Sequence, residues 1–499
     1  MKYQNPIIPG FYPDPSAVRV NDKYYLVNSS FEYFPAIPIF ESEDMINWQP
    51  IGSVLNRKSQ VDLKNTYGKS GIFAPTIRYH NGVYYVVTTN ANVSQGGNLV
   101  VKTTDPHTSW STPVCIEQGG IDPSLFFDEN GKSYFMSTAQ KDGKDAIQAS
   151  EIDLNTGKVK NSHYIWFGNG GKNLEGPHLY KIGHYYYLLA SEGGTEYGHM
   201  LVVARSKNIW GPYESCPNNP ILTNRNLDRY QLQGVGHGDF IQDINRKWWV
   251  VFLGFRRTVR GQFHTLGREV NLLPVEFEND WPVVGNDNNT ARLEVHTNRK
   301  IAQQKSLSIV DQKSAEVGKE LFFLRNPDLS KYNISSGKYI LTTTTQASIN
   351  NRIDSPTAIF TRQRSFKDNF SVKVDPQNTQ AGITVYQESD QHYDLIVKSI
   401  SVNKYQIQVR LVIGPAISVF KTVEIEKQRL QRIGISCTSG DYLLYVVTEE
   451  GRINLGKYDS RFLSTEVASN FTGVMFGMFV EPQRENGKAM FSDLIKKSE

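Results

Sequence analysis

Short apolar runs alternate with polar turns along the chain, and one such unit sets the pattern for the first three hundred residues. From Phe11 to Asn28, FYPDPSAVRVNDKYYLVN places an acid between two prolines, then an apolar-rich strand, an Asn-Asp-Lys turn and a second strand opening on an aromatic pair. That pattern predicts an antiparallel hairpin with a carboxylate at its root. Four more copies follow: FAPTIRYHNGVYYVVTTN from Phe73, IDPSLFFDENGKSYFMSTA from Ile121, LEGPHLYKIGHYYYLLAS from Leu174 and VGHGDFIQDINRKWWVVFLG from Val235.

The roots fall near Asp14, Pro75, Asp122, Glu175 and His237. They lie about fifty to sixty residues apart, which leaves each repeat room for about four short strands. The reading is an all-β chain with a five-bladed β-propeller over residues 1–295, its innermost strands starting around one central pit. Turn signals at Asn81-Gly82, Gly96-Gly97 and Asn130-Gly131 suit short antiparallel strands. Outer strands are visible at 37–52 and 201–214, each an apolar run followed by a polar turn and a Trp.

Residues 296–318 turn polar and lose the blade pattern, and read as a linker. Beyond it, alternating segments recur from LFFLRNP at 321–327, YILTTTT at 339–345 and SVKVDP at 371–376 to GVMFGMFV at 473–480. This spacing predicts a second domain over 319–499, a β-sandwich of jelly-roll type.

Length supports two domains, since 499 residues exceed one ordinary core. Aromatics at 12% and charged residues at 21% mark a folded, β-rich chain. A net charge of +4 without long basic runs argues against nucleic acid or an anionic membrane and leaves a neutral small ligand as the partner. A homo-oligomer stays open. The three cysteines, Cys115, Cys216 and Cys437, imply neither a disulfide framework nor a metal cluster and read as buried free thiols. The N-terminus shows no apolar signal region, so the chain as written reads as cytoplasmic.

An acid beside a proline at a strand root is usually plain turn chemistry. Here three acids, Asp14, Asp122 and Glu175, occupy such roots in different repeats, and a propeller would gather them onto one spot. Glu175 stands one place earlier relative to its proline and would aim differently. Two carboxyls across a pit suit glycosidic cleavage, one protonating the leaving oxygen and one working on the opposite ring face. A third near the acid would raise the acid's pKa by like-charge repulsion.

The motifs YPDPS at 12–16, IDPSLFFD at 121–128, LEGPHLYK at 174–181, GHGDF at 236–240 and LGREVNLLPVEF at 266–277 together resemble glycoside hydrolase family 43. The resemblance is to its two-domain branch of β-xylosidases and α-L-arabinofuranosidases, and spans nearly the whole chain. It implies inversion at the anomeric centre, with Asp14 as general base, Asp122 as pKa modulator and Glu175 as general acid. It also implies that Arg268 binds sugar hydroxyls, that Phe31 and Phe73 line the sugar pocket, and that His237 lies at the propeller axis under the sugar. No cofactor is required; the resemblance leaves room for a structural calcium near that axis, beside His237.

Phe73 stands where comparable β-xylosidases carry Trp, which tilts the reading toward an exo-acting α-L-arabinofuranosidase acting on arabinoxylan-type oligosaccharides. β-Xylosidase activity is the alternative. A retaining fructosidase-type enzyme would open on Asn-Asp-Pro, whereas Pro13 precedes Asp14 here. A non-catalytic sugar-binding propeller would be expected to lack one of the acids.

Overall fold

The computed structural model describes residues 1–92, 96–285, 288–305, 315–344, 347–481 and 486–498. Among these, regular structure is almost entirely strand, with one short α-helix at Thr465–Ala468. The first hairpin forms as its sequence dictates. Ser16–Val20 pairs with Lys23–Val27 around Asn21, whose φ of +57° fits the tight turn. In the second repeat, Asn81 and Gly82 both take positive φ, as a two-residue hairpin loop requires.

Five four-stranded antiparallel sheets follow one another along the chain. Their inner strands are Ser16–Val20, Thr76–His80, Ser124–Phe127, Glu175–Ile182 and Leu232–Gln242. Each touches the next, and the fifth returns to the first, closing a propeller. Because each blade is covered on both faces by neighbours, its second strand carries a continuous apolar run rather than strict alternation. Leu26 and Val27 are both fully buried, and such side chains contribute roughly 1.5–3 kcal/mol each. The outer strands foreseen at 37–52 and 201–214 occur at Ala36–Ser42 with Gln49–Leu55, and at Met200–Ser206 with the short Glu214–Ser215.

Asp239, from the GHGDF motif, ties the blades together beneath the pit. It accepts from the Ser16 hydroxyl at 2.6 Å, from both amino groups of Arg78 at 2.7 and 3.0 Å, and from the Tyr180 hydroxyl. Four blades thus share one buried carboxylate, which fixes the strand roots above it. At the rim, Lys2–Gln4 pairs with Glu294–His296, so the chain start clasps the end of the last blade.

The later strands form a seven-stranded and a six-stranded sheet with a shared core. LFFLRNP partly corrects the sequence reading: Phe322 bridges to Phe360 of the sandwich, but the strand there, Phe323–Leu324, pairs with Tyr33–Phe34 from the first repeat. The reason is packing, since Phe322 and Leu324 are buried in one apolar cluster with Phe11, Phe31, Tyr33, Phe360 and Tyr386. Beside it, Glu32 and Arg325 form a fully buried ion pair at 2.6 Å. The middle of the anticipated linker, 306–314, and the end of YILTTTT lie outside the described residues. Cys216 and Cys437 are buried free thiols, but Cys115 is exposed, because it falls on the outermost strand of its blade. Among the described residues no helix is long and apolar enough to cross a membrane.

Candidate active site

The strand roots share an unusual backbone. Asp14 and Asp122 both have φ of +54°, each followed by proline and then by the first residue pair of an inner strand. His237 at the fifth root has φ of +42°. Left-handed backbone is uncommon outside glycine, and Asp tolerates it better than most residues. In the fourth repeat the left-handed residue is Gly176, φ +59°, so Glu175 sits one place ahead of the turn and approaches the pit from a different angle. Strain held at equivalent positions of several blades marks a functional centre.

The electrostatics separate the carboxyls. Asp14 is 5% exposed; its Oδ1 accepts from Arg268 Nη1 at 2.9 Å and its Oδ2 from the Ser29 hydroxyl. Burial alone would raise the Asp14 carboxyl, but Arg268, with His237 and Ser29, overrides it and holds the group below its ordinary value. Asp122 behaves oppositely. Burial, then the carboxylates of Glu175 and Asp14, push it well above the usual range, against one backbone hydrogen bond from Gly176 at 3.2 Å. Asp14 and Asp122 are thus driven in opposite directions, Asp14 toward its ionised form and Asp122 toward its protonated form. Glu175 is the more accessible partner, its side chain 18% exposed, and its Oε1 lies 3.0 Å from His199 Nε2.

Aromatic rings wall the pit. The Phe31 ring packs in tilted contact 5.4 Å from that of Phe73 and 6.0 Å from that of Phe471, which comes from the second domain. The Arg268 guanidinium lies over both Phe31, at 5.4 Å, and Phe471, at 5.8 Å. Its remaining donors reach the Thr195 hydroxyl at 3.0 Å and the Phe471 carbonyl at 3.1 Å. Arg268 is therefore no surface ion-pair residue; it anchors Asp14 and stitches the sandwich to the pit. Beside Glu175 a cleft of about 570 Å³ opens between the third and fourth blades, bordered by Gly119, Ile121, Gln140, Tyr164 and Asn173.

The structure brings together Asp14, Asp122, Glu175, Arg268, Phe31, Phe73 and His237. Sequence reasoning missed Ser29, Thr195, His199 and Phe471. Thr195 and His199 lie in a loop after the second strand of blade four that no other repeat echoes, and Phe471 reaches the site only through domain docking. His237 Nδ1 faces Asp14 Oδ1 across 3.8 Å. Among the described residues no group of three His, Cys, Asp or Glu is placed to hold a metal ion.

A propeller that gathers Asp14, Asp122 and Glu175 at one aromatic-lined pit fits a glycosidase. Residues 3–282 match glycosyl hydrolases family 43, and residues 310–494 match the β-xylosidase C-terminal concanavalin A-like domain. The chain belongs to glycoside hydrolase family 43. It is 35% identical over 496 residues to a non-reducing end α-L-arabinofuranosidase of Bacteroides ovatus, covering 98% of this chain and 92% of that one. It is 36% identical to a xylosidase/arabinosidase of Butyrivibrio fibrisolvens, over 97% of this chain and 96% of that one. A solved family 43 structure from the Bacteroides ovatus xyloglucan locus superposes with a TM-score of 0.91 at 34% identity, each chain covered in full. A xylan β-1,4-xylosidase from Bacillus halodurans superposes with a TM-score of 0.89 at 28% identity, over 99% of this chain and 100% of that one.

Proposed function

We propose that the protein is an exo-acting, inverting α-L-arabinofuranosidase that removes terminal non-reducing arabinofuranosyl groups from arabinoxylan-type oligosaccharides. The observation that carries this reading is the gathering of three carboxyls in one pit, Asp14 paired with Arg268 and held below its ordinary value, and Asp122 pushed well above it beside Glu175. Asp14 takes a proton from water as the water oxygen bonds to the anomeric carbon. Glu175 gives its proton to the glycosidic oxygen as that C–O bond breaks, and the anomeric configuration inverts. Asp122 keeps the acid side protonated between turnovers. The glycone occupies the pit against Phe31, Phe73 and Phe471, and the leaving saccharide occupies the cleft beside Glu175. No metal-dependent step is needed.

The arabinofuranoside preference draws support from Phe73 and from the Bacteroides ovatus relative named for that activity, while the Butyrivibrio fibrisolvens relative is named for both. β-Xylosidase activity is the second reading, favoured by the β-xylosidase name of the domain matched at 310–494. Hydrolysis of 4-nitrophenyl α-L-arabinofuranoside against 4-nitrophenyl β-D-xyloside separates them. A kcat/KM ratio favouring the xyloside would replace the first reading with the second, and a first-formed product of retained configuration by NMR would remove inversion.

A further inference from the structure

His199 follows no repeat pattern, yet it is among the most constrained side chains near the pit. Its ring is fully buried. Nδ1 lies 3.3 Å from the Gly234 carbonyl oxygen, and Nε2 lies 3.0 Å from Glu175 Oε1. The ring face is set by Gly236: a Cβ there would fall 2.5 Å from the imidazole Cε1 and Nδ1, so only glycine lets the ring lie where it does. The first glycine of the GHGDF motif is thus the floor of a histidine seat, and Gly234, φ +58°, turns its carbonyl toward the same ring.

This seat fixes a proton. A carbonyl oxygen only accepts, so Nδ1 carries hydrogen. A hydrogen must also lie on the line from Nε2 to Oε1, because two lone pairs would repel at 3.0 Å. A carboxyl protonated on Oε1 has no proton left for Oε2, so an acid proton on Oε2 requires this hydrogen to sit on Nε2, with Oε1 accepting from it. The other oxygen, Oε2, has no hydrogen-bond partner among the described residues, and Glu175 borders the cleft beside it.

We infer that His199 is a positioning residue for the acid: seated by Gly234 and Gly236, with hydrogen on both ring nitrogens, it donates to Glu175 Oε1 so that the transferable proton sits on Oε2, facing the leaving group. The inference rests on the reading of Glu175 as general acid. On donation, the Oε2–H bond breaks as the proton joins the leaving oxygen. The electron pair stays on the carboxylate, with its Oε1 still held by the imidazole.

Two substitutions separate the two ring nitrogens. In His199→Gln the amide nitrogen takes the place of Nε2 and still holds Oε1; in His199→Asn it takes the place of Nδ1 and leaves Oε1 free. His199→Asn is expected to lose about 10²-fold in kcat/KM on an oligosaccharide but less than about 10-fold on a 2,4-dinitrophenyl glycoside, which needs little protonation. His199→Gln is expected to stay within about 10-fold of wild type on both. Equal losses on the two substrates, or no rescue by Gln, would overturn the inference while leaving the glycosidase reading intact. Absence of wild-type turnover on every pentoside would instead overturn that reading. A neutron structure of the wild-type enzyme tests the same point without any variant: hydrogen on Nδ1, on Nε2 and on Glu175 Oε2 is expected, and a bare ring nitrogen or a hydrogen bonded to Oε1 refutes it.

Discussion

Arg268 and Asp14, 254 residues apart, meet in a buried ion pair of 2.9 Å, and the same guanidinium also donates to the backbone carbonyl of Phe471 in the other domain. One side chain therefore sets the charge of Asp14 and the closure of the pocket. The planar fork allows both at once, which a lysine could not reproduce.

Removing that fork should move the pH profile as well as the rate. Arg268 is the strongest influence opposing burial at Asp14, so Arg268→Met lets the Asp14 carboxyl rise. Asp14 must be ionised to act as base, and the acid limb of kcat/KM should shift to higher pH, with a loss of about 10²–10³-fold at the optimum. An unmoved acid limb would falsify Asp14 as the group that limb reports.

Leaving-group dependence should distinguish the two carboxyls proposed as acid and base. Glu175→Ala is expected to lose about 10²–10⁴-fold on natural oligosaccharides but far less on aryl glycosides, whereas Asp14→Ala is poor on both. If Glu175→Ala loses equally across aglycones of different acidity, Glu175 is not the proton donor.

A buried lysine at the domain interface predicts an alkaline rise in stability. Lys496 is 1% exposed and donates to the Arg362 carbonyl; burial, with Arg364 and Arg362 nearby, lowers its amine to about 7. In the unfolded chain such an amine titrates near 10.4, so between these values the unfolded state binds more protons. The contribution is complete above the unfolded value and fades as pH falls toward 7. From pH 7 to 9, the unfolding free energy of wild type should grow by about 2 kcal/mol relative to Lys496→Met. Urea titrations at the two pH values check this, and a flat or falling difference rejects it.

The repeat made the propeller legible because each blade writes the same hairpin, and the acids at Asp14, Asp122 and Glu175 share its phase. The sandwich was partly legible, where strands such as Gln380–Glu388 and Lys404–Ile413 alternate over a shared core. Ala416–Glu426 escaped notice because it is an exposed edge strand, with Val419 and Phe420 facing solvent instead of alternating. His199 and Phe471 were invisible for another reason: their roles come from contacts across a loop and across domains, which no local period encodes. Phe323–Leu324 was assigned to the wrong sheet because a strand's pattern reports its buried faces and not its hydrogen-bonding neighbour.

The same interface predicts that the sandwich is a working wall of the pocket and not a detachable module. Phe471 packs on Phe31 and its carbonyl holds Arg268; Arg362 Nε donates to the Phe11 carbonyl at 2.6 Å; and Glu32 is paired with Arg325 inside the interface. Residues 1–295 alone would expose the Phe11, Phe31 and Tyr33 cluster and leave Glu32 without its cation. Breaking such a buried pair costs about 3–5 kcal/mol. The truncated propeller is therefore expected to be insoluble or nearly inactive. A wall at that position also stops the substrate at its terminal sugar, whereas cutting within a chain needs a groove open at both ends. Digestion of arabinoxylan by the intact protein should accordingly release free pentose from the first time points. A fully active truncation would refute the structural half of this claim, and early mid-length oligosaccharides without free pentose would refute the exo half.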